Sequence, residues 1–136
     1  MDFGSSITLS TIQALASNTP KQLMQQGQVI FRSGDHGDCL YGVLEGSVEI
    51  TWDSATLTET VGPGGTFGIG AFLDQEHLRF GTATALTDGE LLVMNQQQFL
   101  FAVQEMPMFA LEMMQALGHR LRELKRKLQE QKNDPA

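Results

Sequence analysis

The chain is poor in cysteine and has no long apolar run: Cys39 is the only cysteine among its 136 residues. A bilayer span needs about 20 consecutive apolar residues, so the sequence predicts no membrane span. One thiol cannot form an internal disulfide or supply the several thiolates of an iron–sulfur cluster. The first residues also lack the basic and apolar regions of a secretory signal. We therefore expect a cytoplasmic protein.

Basic side chains are scarce before residue 120. Residues 1–119 carry 13 acidic and 3 basic side chains, whereas residues 120–136 carry 6 basic and 3 acidic ones. An acidic body repels nucleic acid, and a basic helical stretch is more often only a solvated face. We expect no direct DNA binding.

The residue types that carry catalysis or hold metals are dispersed. His36, His77 and His119 lie far apart in sequence, so they do not form the ligand spacing of a metal site. No serine, cysteine or lysine has the setting of a nucleophile. His119 leaves haem binding open as a weaker alternative. We expect no enzyme, no catalytic residue and no metal residue.

Short apolar segments separated by glycine-containing turns dominate residues 22–95. Such spacing is typical of β-sandwiches, rolls and barrels. The predicted strands are Val29–Phe31, Leu40–Leu44, Val48–Trp52, Leu57–Val61, Thr82–Leu86 and Leu91–Met94. A short helix precedes them near Ser10, and after Asn95 the apolar spacing becomes helical. One helix is predicted over 96–104 and a longer one from Pro107 to about Gln131.

The most informative stretch lies between Gly65 and Ala85. Gly68, Gly70 and Ala71 form a turn of small residues, which lets backbone N–H groups approach an anion closely. Arg79 follows it and supplies a permanently charged, planar group for the same anion. The pattern predicts an anion site.

This stretch resembles the phosphate-binding cassette of the cyclic nucleotide-binding domain family. Glycines at the preceding turns match the family's spacing, and the match covers about residues 10–130. The resemblance implies a mainly β fold: an antiparallel β-roll, or jelly roll, between a short helix and a long C-terminal helix. It predicts one domain over 1–136, with the first helix and the roll at about 10–106 and the long helix at 107–131.

Carried over position by position, the resemblance implies a ligand site. Its residues are Gly68, Ile69, Gly70, Ala71, Arg79 and Phe80. The family has a glutamate for the ribose hydroxyl where Ile69 stands, and a small residue where Phe80 stands. We therefore expect weak or altered binding of a cyclic nucleotide such as cAMP. Alternatively, Arg79 lies on the surface or pairs with Asp74 or Glu76.

The long helix carries an apolar stripe with alternating spacings of three and four, typical of a coiled-coil seam. Its residues are Met114, Leu117, Leu121, Leu124 and Leu128. The resemblance implies a homodimer across this helix. Alternatively, the stripe packs against its own roll. The resemblance also brings Leu124 and Lys125 near the usual base-contacting positions, and Arg120 and Lys127 flank the seam without evident acidic partners.

These observations predict a regulatory, ligand-sensing module of the bacterial cytoplasm. It requires no cofactor, and an anionic nucleotide is its candidate ligand. Since only five residues follow Gln131, where the catabolite activator architecture continues into a DNA-binding domain, we expect another protein to read its state. The alternative function is a ligand-free dimeric scaffold or adaptor for protein association.

Overall fold

The computed structural model of the chain describes residues 9–52 and 57–133. This part contains eight strands and four helices. In chain order they are α1 (Leu9–Ala16), β1 (Lys21–Met24), β2 (Val29–Phe31), β3 (Cys39–Glu45), β4 (Val48–Trp52), β5 (Thr58–Val61), β6 (Thr66–Phe67), α2 (Gly70–Leu73), β7 (Gly81–Ala85), β8 (Gly89–Asn95), α3 (Gln96–Glu105) and α4 (Pro107–Asn133).

The strands form two four-stranded antiparallel sheets. Their orders are β1-β8-β3-β6 and β2-β7-β4-β5. Buried residues alternate with less buried ones along β7, as the two-residue period of a strand requires. The inward-facing side chains of both sheets, among them Val43, Val48 and Leu91, make one apolar core. The predicted antiparallel β-roll with a long C-terminal helix is confirmed.

The sequence missed three short elements. Strand β1 contains two polar residues and buries only Met24, so it lacks a clear apolar alternation. Strand β6 has two residues and ends just before the predicted turn of small residues, and α2 has four and begins within that turn. The predicted single domain over all 136 residues includes residues outside the described ranges and stays a prediction.

A second apolar cluster joins the helices to the outer face of the first sheet. Ile12 of α1, Leu40 of β3 and Leu92 of β8 pack there with Phe109 and Met113 of α4. Helix α3 begins at a capping box, in which the side chains of Asn95 and Gln98 each accept a hydrogen bond from the other's backbone N–H. This cluster fixes the first half of α4 against the roll.

Helix α4 has a buried and an exposed face. Phe109, Met113 and Ala116 are buried against the roll, at the four- and three-residue spacing of one helical face. Met114 and Leu121, on the neighbouring face, are 62% and 69% exposed. Among the described helices, none is both long enough and apolar enough to cross a membrane.

Candidate ligand site

The turn after β6 depends on glycine at its first position. Gly68 has φ of 90°, in the left-handed region that favours glycine. A Cβ atom there would also lie 2.7 Å from Nη1 of Arg79. Ile69 then adopts helical angles and α2 begins at Gly70. The close approach of Arg79 to this turn therefore requires a residue without a side chain.

The chain that leads to Arg79 is held by local hydrogen bonds. Oδ2 of Asp74 accepts from the backbone N–H of Leu78 at 2.9 Å. The backbone N–H of Arg79 donates to the carbonyl of Asp35, and the carbonyl of Arg79 accepts from Gly34 N–H, both at 2.8 Å. These bonds tie the Arg79 backbone to the turn at residues 34–35 and direct its side chain inward.

The Arg79 side chain is buried, with the residue 5% exposed. Its guanidinium lies over the ring of Phe31, with Cζ 4.2 Å from the ring centroid. Nη1 donates to the carbonyl of Gly68 at 2.7 Å, and Nη2 lies 3.6 Å from Sγ of Cys39. Nε has no hydrogen-bond partner. Within the described residues Arg79 forms no ion pair. The alternative pairing with Asp74 or Glu76 is therefore not observed.

A buried charge without a partner is costly. The effective penalty is several kcal/mol per ion in proteins. The contact with Phe31 offsets part of it, since a cation–π interaction contributes about 0.5–2 kcal/mol. An anion placed beside the guanidinium would therefore gain a strong, poorly screened attraction.

Arg79 borders a cavity of about 310 Å³ between the turn and α4. All six predicted ligand residues line it: Gly68, Ile69, Gly70, Ala71, Arg79 and Phe80. Its other walls come from Phe31, Ile50, Trp52, Phe67, Leu73, Gly81, Leu117 and Arg120. We call it the cassette cavity. The structure thus brings the turn of small residues, the arginine and the long helix to one cavity that is partly open to solvent.

A second arginine on the cavity wall is fully paired. Nε of Arg120 lies 2.8 Å from Oε1 of Glu59, and Nη1 donates to the carbonyl of Thr66 at 2.9 Å. The indole N–H of Trp52 donates to Oε2 of Glu59 at 2.9 Å. This cluster fastens α4 to the roll. The sequence missed it because Glu59 and Arg120 are 61 positions apart and no local pattern links them.

A larger cavity of about 580 Å³ lies between β5 and α4. It shares Arg120 and Glu59 with the paired cluster, and Lys127 at its edge donates to the carbonyl of Thr58 at 2.7 Å. Its main charged groups are thus already engaged. The larger volume therefore does not make this cavity the better candidate for the ligand site. The unpaired charge of Arg79 favours the cassette cavity.

A comparison with known protein families assigns the β-roll and the turn of small residues to one family. The sequence profile of the cyclic nucleotide-binding domain matches residues 21–106, which include the cassette turn and Arg79. The chain belongs to this family.

Two relatives from Thermus thermophilus share about a third of their residues with this cyclic nucleotide-binding domain. The cyclic AMP receptor protein is 34% identical over 108 residues, which are 76% of this chain and 49% of the relative. The crystal structure of the catabolite activator protein matches with a TM-score of 0.68 at 31% identity, covering 88% of this chain and 58% of the other. The domain thus spans about half the length of the curated relative it matches.

A third match extends the fold comparison to a more distant regulator. The regulator CLP of Xanthomonas campestris, described as responsive to c-di-GMP, matches with a TM-score of 0.78 at 22% identity. The match covers 90% of this chain and 63% of that one. At this identity the likeness concerns the fold alone. Both Thermus relatives are named as receptor or activator proteins.

The predicted interface residues of this domain fall into two groups. Met114, Leu121 and Leu128 are exposed, by 62%, 69% and 45%. Leu117 and Leu124 are half-buried, and Leu117 lines the cassette cavity. The α4 residues that border the cavity are therefore Leu117 and Arg120, and not Leu124 or Lys125.

Two polar side chains lie beneath the guanidinium. Cys39 is buried, as expected for a residue at the start of an apolar strand. Burial raises the pKa of the Tyr41 phenol far above its usual range, and the Cys39 thiol adds to this, whereas the charge of Arg79 opposes it. The ring of Tyr41 lies 5.8 Å from Cζ of Arg79. Tyr41 is therefore held neutral and does not balance the arginine.

Proposed function

We propose that this chain is a non-catalytic regulatory module of the bacterial cytoplasm, which senses a small anion in the cassette cavity. One observation carries the proposal: Arg79 is 95% buried with no anionic partner in the described part of the chain, and it borders a cavity that also touches α4. A buried arginine without a partner becomes favourable in energy when a ligand supplies the negative charge that balances it.

A cyclic nucleotide is the candidate ligand by family, and its affinity is expected to be low. Ile69 cannot accept a hydrogen bond from a ribose hydroxyl. A hydrogen bond to a charged group contributes about 1.5–3 kcal/mol, or about 10–100-fold in affinity. Phe80 is expected to lower the affinity further, because its ring occupies space beside the turn. The ring lies within 3.5 Å of the position that a Cβ atom on Gly70 would take.

The signal would pass through α4. Leu117 and Arg120 of this helix border the cassette cavity, and Arg120 ties the helix to Glu59 of the roll. A ligand that contacts both Arg79 and Leu117 favours one placement of α4 over others, which is a population shift. Another protein would read that placement. No further cofactor is required.

A homodimer across α4 is part of the proposal. Met114, Leu121 and Leu128 leave a stripe of apolar surface in water, and burying one such side chain contributes about 1.5–3 kcal/mol. A second copy of the same stripe, related by a two-fold axis, would cover it. The same stripe supports the second candidate function, a ligand-free dimeric scaffold that joins proteins.

Thermal unfolding with cyclic mono- and dinucleotides separates the two functions. A ligand that binds only the folded state raises the melting temperature by mass action. We expect a shift for at least one nucleotide, and its loss in Arg79→Met. A scaffold would show no shift with any nucleotide of the panel.

The dimer is tested by light scattering on Leu121→Glu combined with Leu124→Glu. We expect a dimer for the unmodified chain and a folded monomer for the double variant, because the added carboxylates cannot be buried at the seam. Leu100→Glu, an exposed leucine of α3, is the matched control and should remain dimeric. An unmodified chain that is monomeric at micromolar concentration would contradict the dimer.

A further inference from the structure

The cassette cavity has an unusual set of walls for a site that would hold a sugar and a base. Among the described residues that line it, no side chain is a hydroxyl, an amide or a carboxylate. Its polar side chains are only Arg79, Arg120 and the indole of Trp52. All other lining residues are apolar or glycine.

Two of these three polar side chains are already satisfied. Arg120 and Trp52 both bond to the carboxylate of Glu59. Arg79 alone has no balancing charge within the described residues: its Nη atoms meet a carbonyl and a thiol, and its Nε is buried without a partner. The cavity therefore presents a single uncompensated positive charge, surrounded by apolar surface.

Such walls discriminate against polar ligands. A ribose hydroxyl or a base heteroatom that leaves water for this cavity finds no side-chain partner, and each unsatisfied group lowers affinity by about tenfold. An apolar body in the same place gains from leaving water. The rings of Phe31, Trp52, Phe67 and Phe80 favour an aromatic body, since aromatic pairs attract beyond area burial.

Charge balance limits the ligand's anionic group. One guanidinium compensates one negative charge, so a dianion would leave an unpaired charge in an apolar space. The planar guanidinium matches a carboxylate or a phosphate group, so the apolar walls, rather than Arg79, favour the carboxylate. The small cavity volume suits a ligand of one or two rings.

We propose that the cassette cavity binds an aromatic carboxylate, on a one- or two-ring system without a sugar, in preference to a cyclic nucleotide. The inference rests on the proposed sensing function and specifies its ligand class. The carboxylate pairs with Arg79, and the rings lie against Trp52, Phe80 and Leu117.

Calorimetry on the full chain with three probes tests this inference. The probes are 2-naphthoate, its neutral analogue 2-naphthamide, and cyclic AMP. We expect 2-naphthoate to bind at least tenfold more tightly than either of the others.

Two variants test the role of the charge. Arg79→Met should bring the affinities for 2-naphthoate and 2-naphthamide within about twofold of each other. Gly37→Ala keeps the arginine but displaces it, because a Cβ atom there would lie 2.2 Å from Nε of Arg79. It should weaken 2-naphthoate alone. Gly62→Ala is the matched control, since its Cβ atom would meet nothing within 4 Å.

The outcomes separate this inference from the proposed function. Cyclic AMP binding as tight as 2-naphthoate, or tighter, overturns the inference and leaves the sensing function standing. Equal affinity for 2-naphthoate and 2-naphthamide in the unmodified chain also overturns it. If neither the probes nor any nucleotide of the thermal panel binds, both the inference and the sensing function are wrong.

Discussion

The two arginines that line the cassette cavity have opposite surroundings. Arg120, on α4, meets the carboxylate of Glu59 at 2.8 Å and the carbonyl of Thr66. Arg79, beyond the cassette turn, meets an aromatic ring, one carbonyl and a thiol, and its Nε has no partner. The charge of Arg120 is thus balanced by a carboxylate, whereas the charge of Arg79 is not.

Under the proposed function, this difference separates a structural wall from a ligand-binding wall of one cavity. A buried ion pair fixes how two elements meet, and removing one partner leaves the other buried without compensation. The Arg120–Glu59 pair thereby holds α4 to the roll. An unpaired buried charge contributes nothing comparable to stability, which supports the proposal that a ligand completes it. Changes on the two walls should therefore have different consequences.

The largest expected effect is on stability, from Arg120→Met. The variant leaves the Glu59 carboxylate, in a residue 8% exposed, with only the indole of Trp52 as a partner. We expect the free energy of unfolding to fall by about 3 kcal/mol, measured by urea denaturation. Arg126→Met is the matched control on the same helix, because Arg126 pairs only with the exposed Glu123 and Glu130. Equal losses in both variants would show that the pair with Glu59 has no special role.

The second-largest expected effect is on the affinity for cyclic AMP, and it comes from Ile69→Glu. This change gives the Arg79 wall a carboxylate that can accept a hydrogen bond from a ribose hydroxyl. Cyclic AMP binding should tighten by about tenfold or more, measured by calorimetry, and 2-naphthoate binding should weaken. Ile69→Gln adds polarity without charge and should give a smaller gain. Tight cyclic AMP binding by the unmodified chain would show that the glutamate matters less than we propose.

A smaller effect concerns alkaline stability, through Tyr41. Its folded-state pKa is raised by burial despite the nearby charge of Arg79. The folded state therefore keeps the phenol proton longer than the unfolded state does. This contribution to stability is fully present below about pH 10 and is lost as the pH rises further.

Tyr41 is the only tyrosine, so near-ultraviolet absorbance follows its ionisation directly. We expect phenolate to form only together with unfolding, and at about pH 10 in denaturant as the control. Reversible ionisation near that pH in the folded protein would mean that the charge of Arg79 outweighs burial.

The sequence predicted the roll because its turns are local. Glycines such as Gly27, Gly34 and Gly46 adopt positive φ, and such positions can be read from neighbouring residues. The change of apolar spacing after Asn95 likewise predicted α3 and α4. The cassette residues from Gly68 to Phe80 were predicted as a group because they lie in one stretch of sequence that resembles the family's phosphate-binding cassette.

What the sequence missed depends on long-range packing. Neither Glu59 nor Trp52 has a neighbour in sequence that indicates Arg120 as its partner. Whether Leu117 faces a cavity or a second chain depends on how α4 rotates against the roll, which Phe109 and Met113 set. The apolar character of the cavity became evident only when strands β2, β4 and β7 were brought against the cassette turn.

The most direct test of the unpaired charge is the unfolding free energy of Arg79→Met without ligand. Methionine fills similar space, and replacing a buried charge by an apolar side chain is often neutral or stabilising. We expect a value equal to that of the unmodified chain or higher, because the desolvation penalty that is relieved exceeds the cation–π contact that is lost. A loss as large as that of Arg120→Met would show that Arg79 is a structural residue, and would contradict the account.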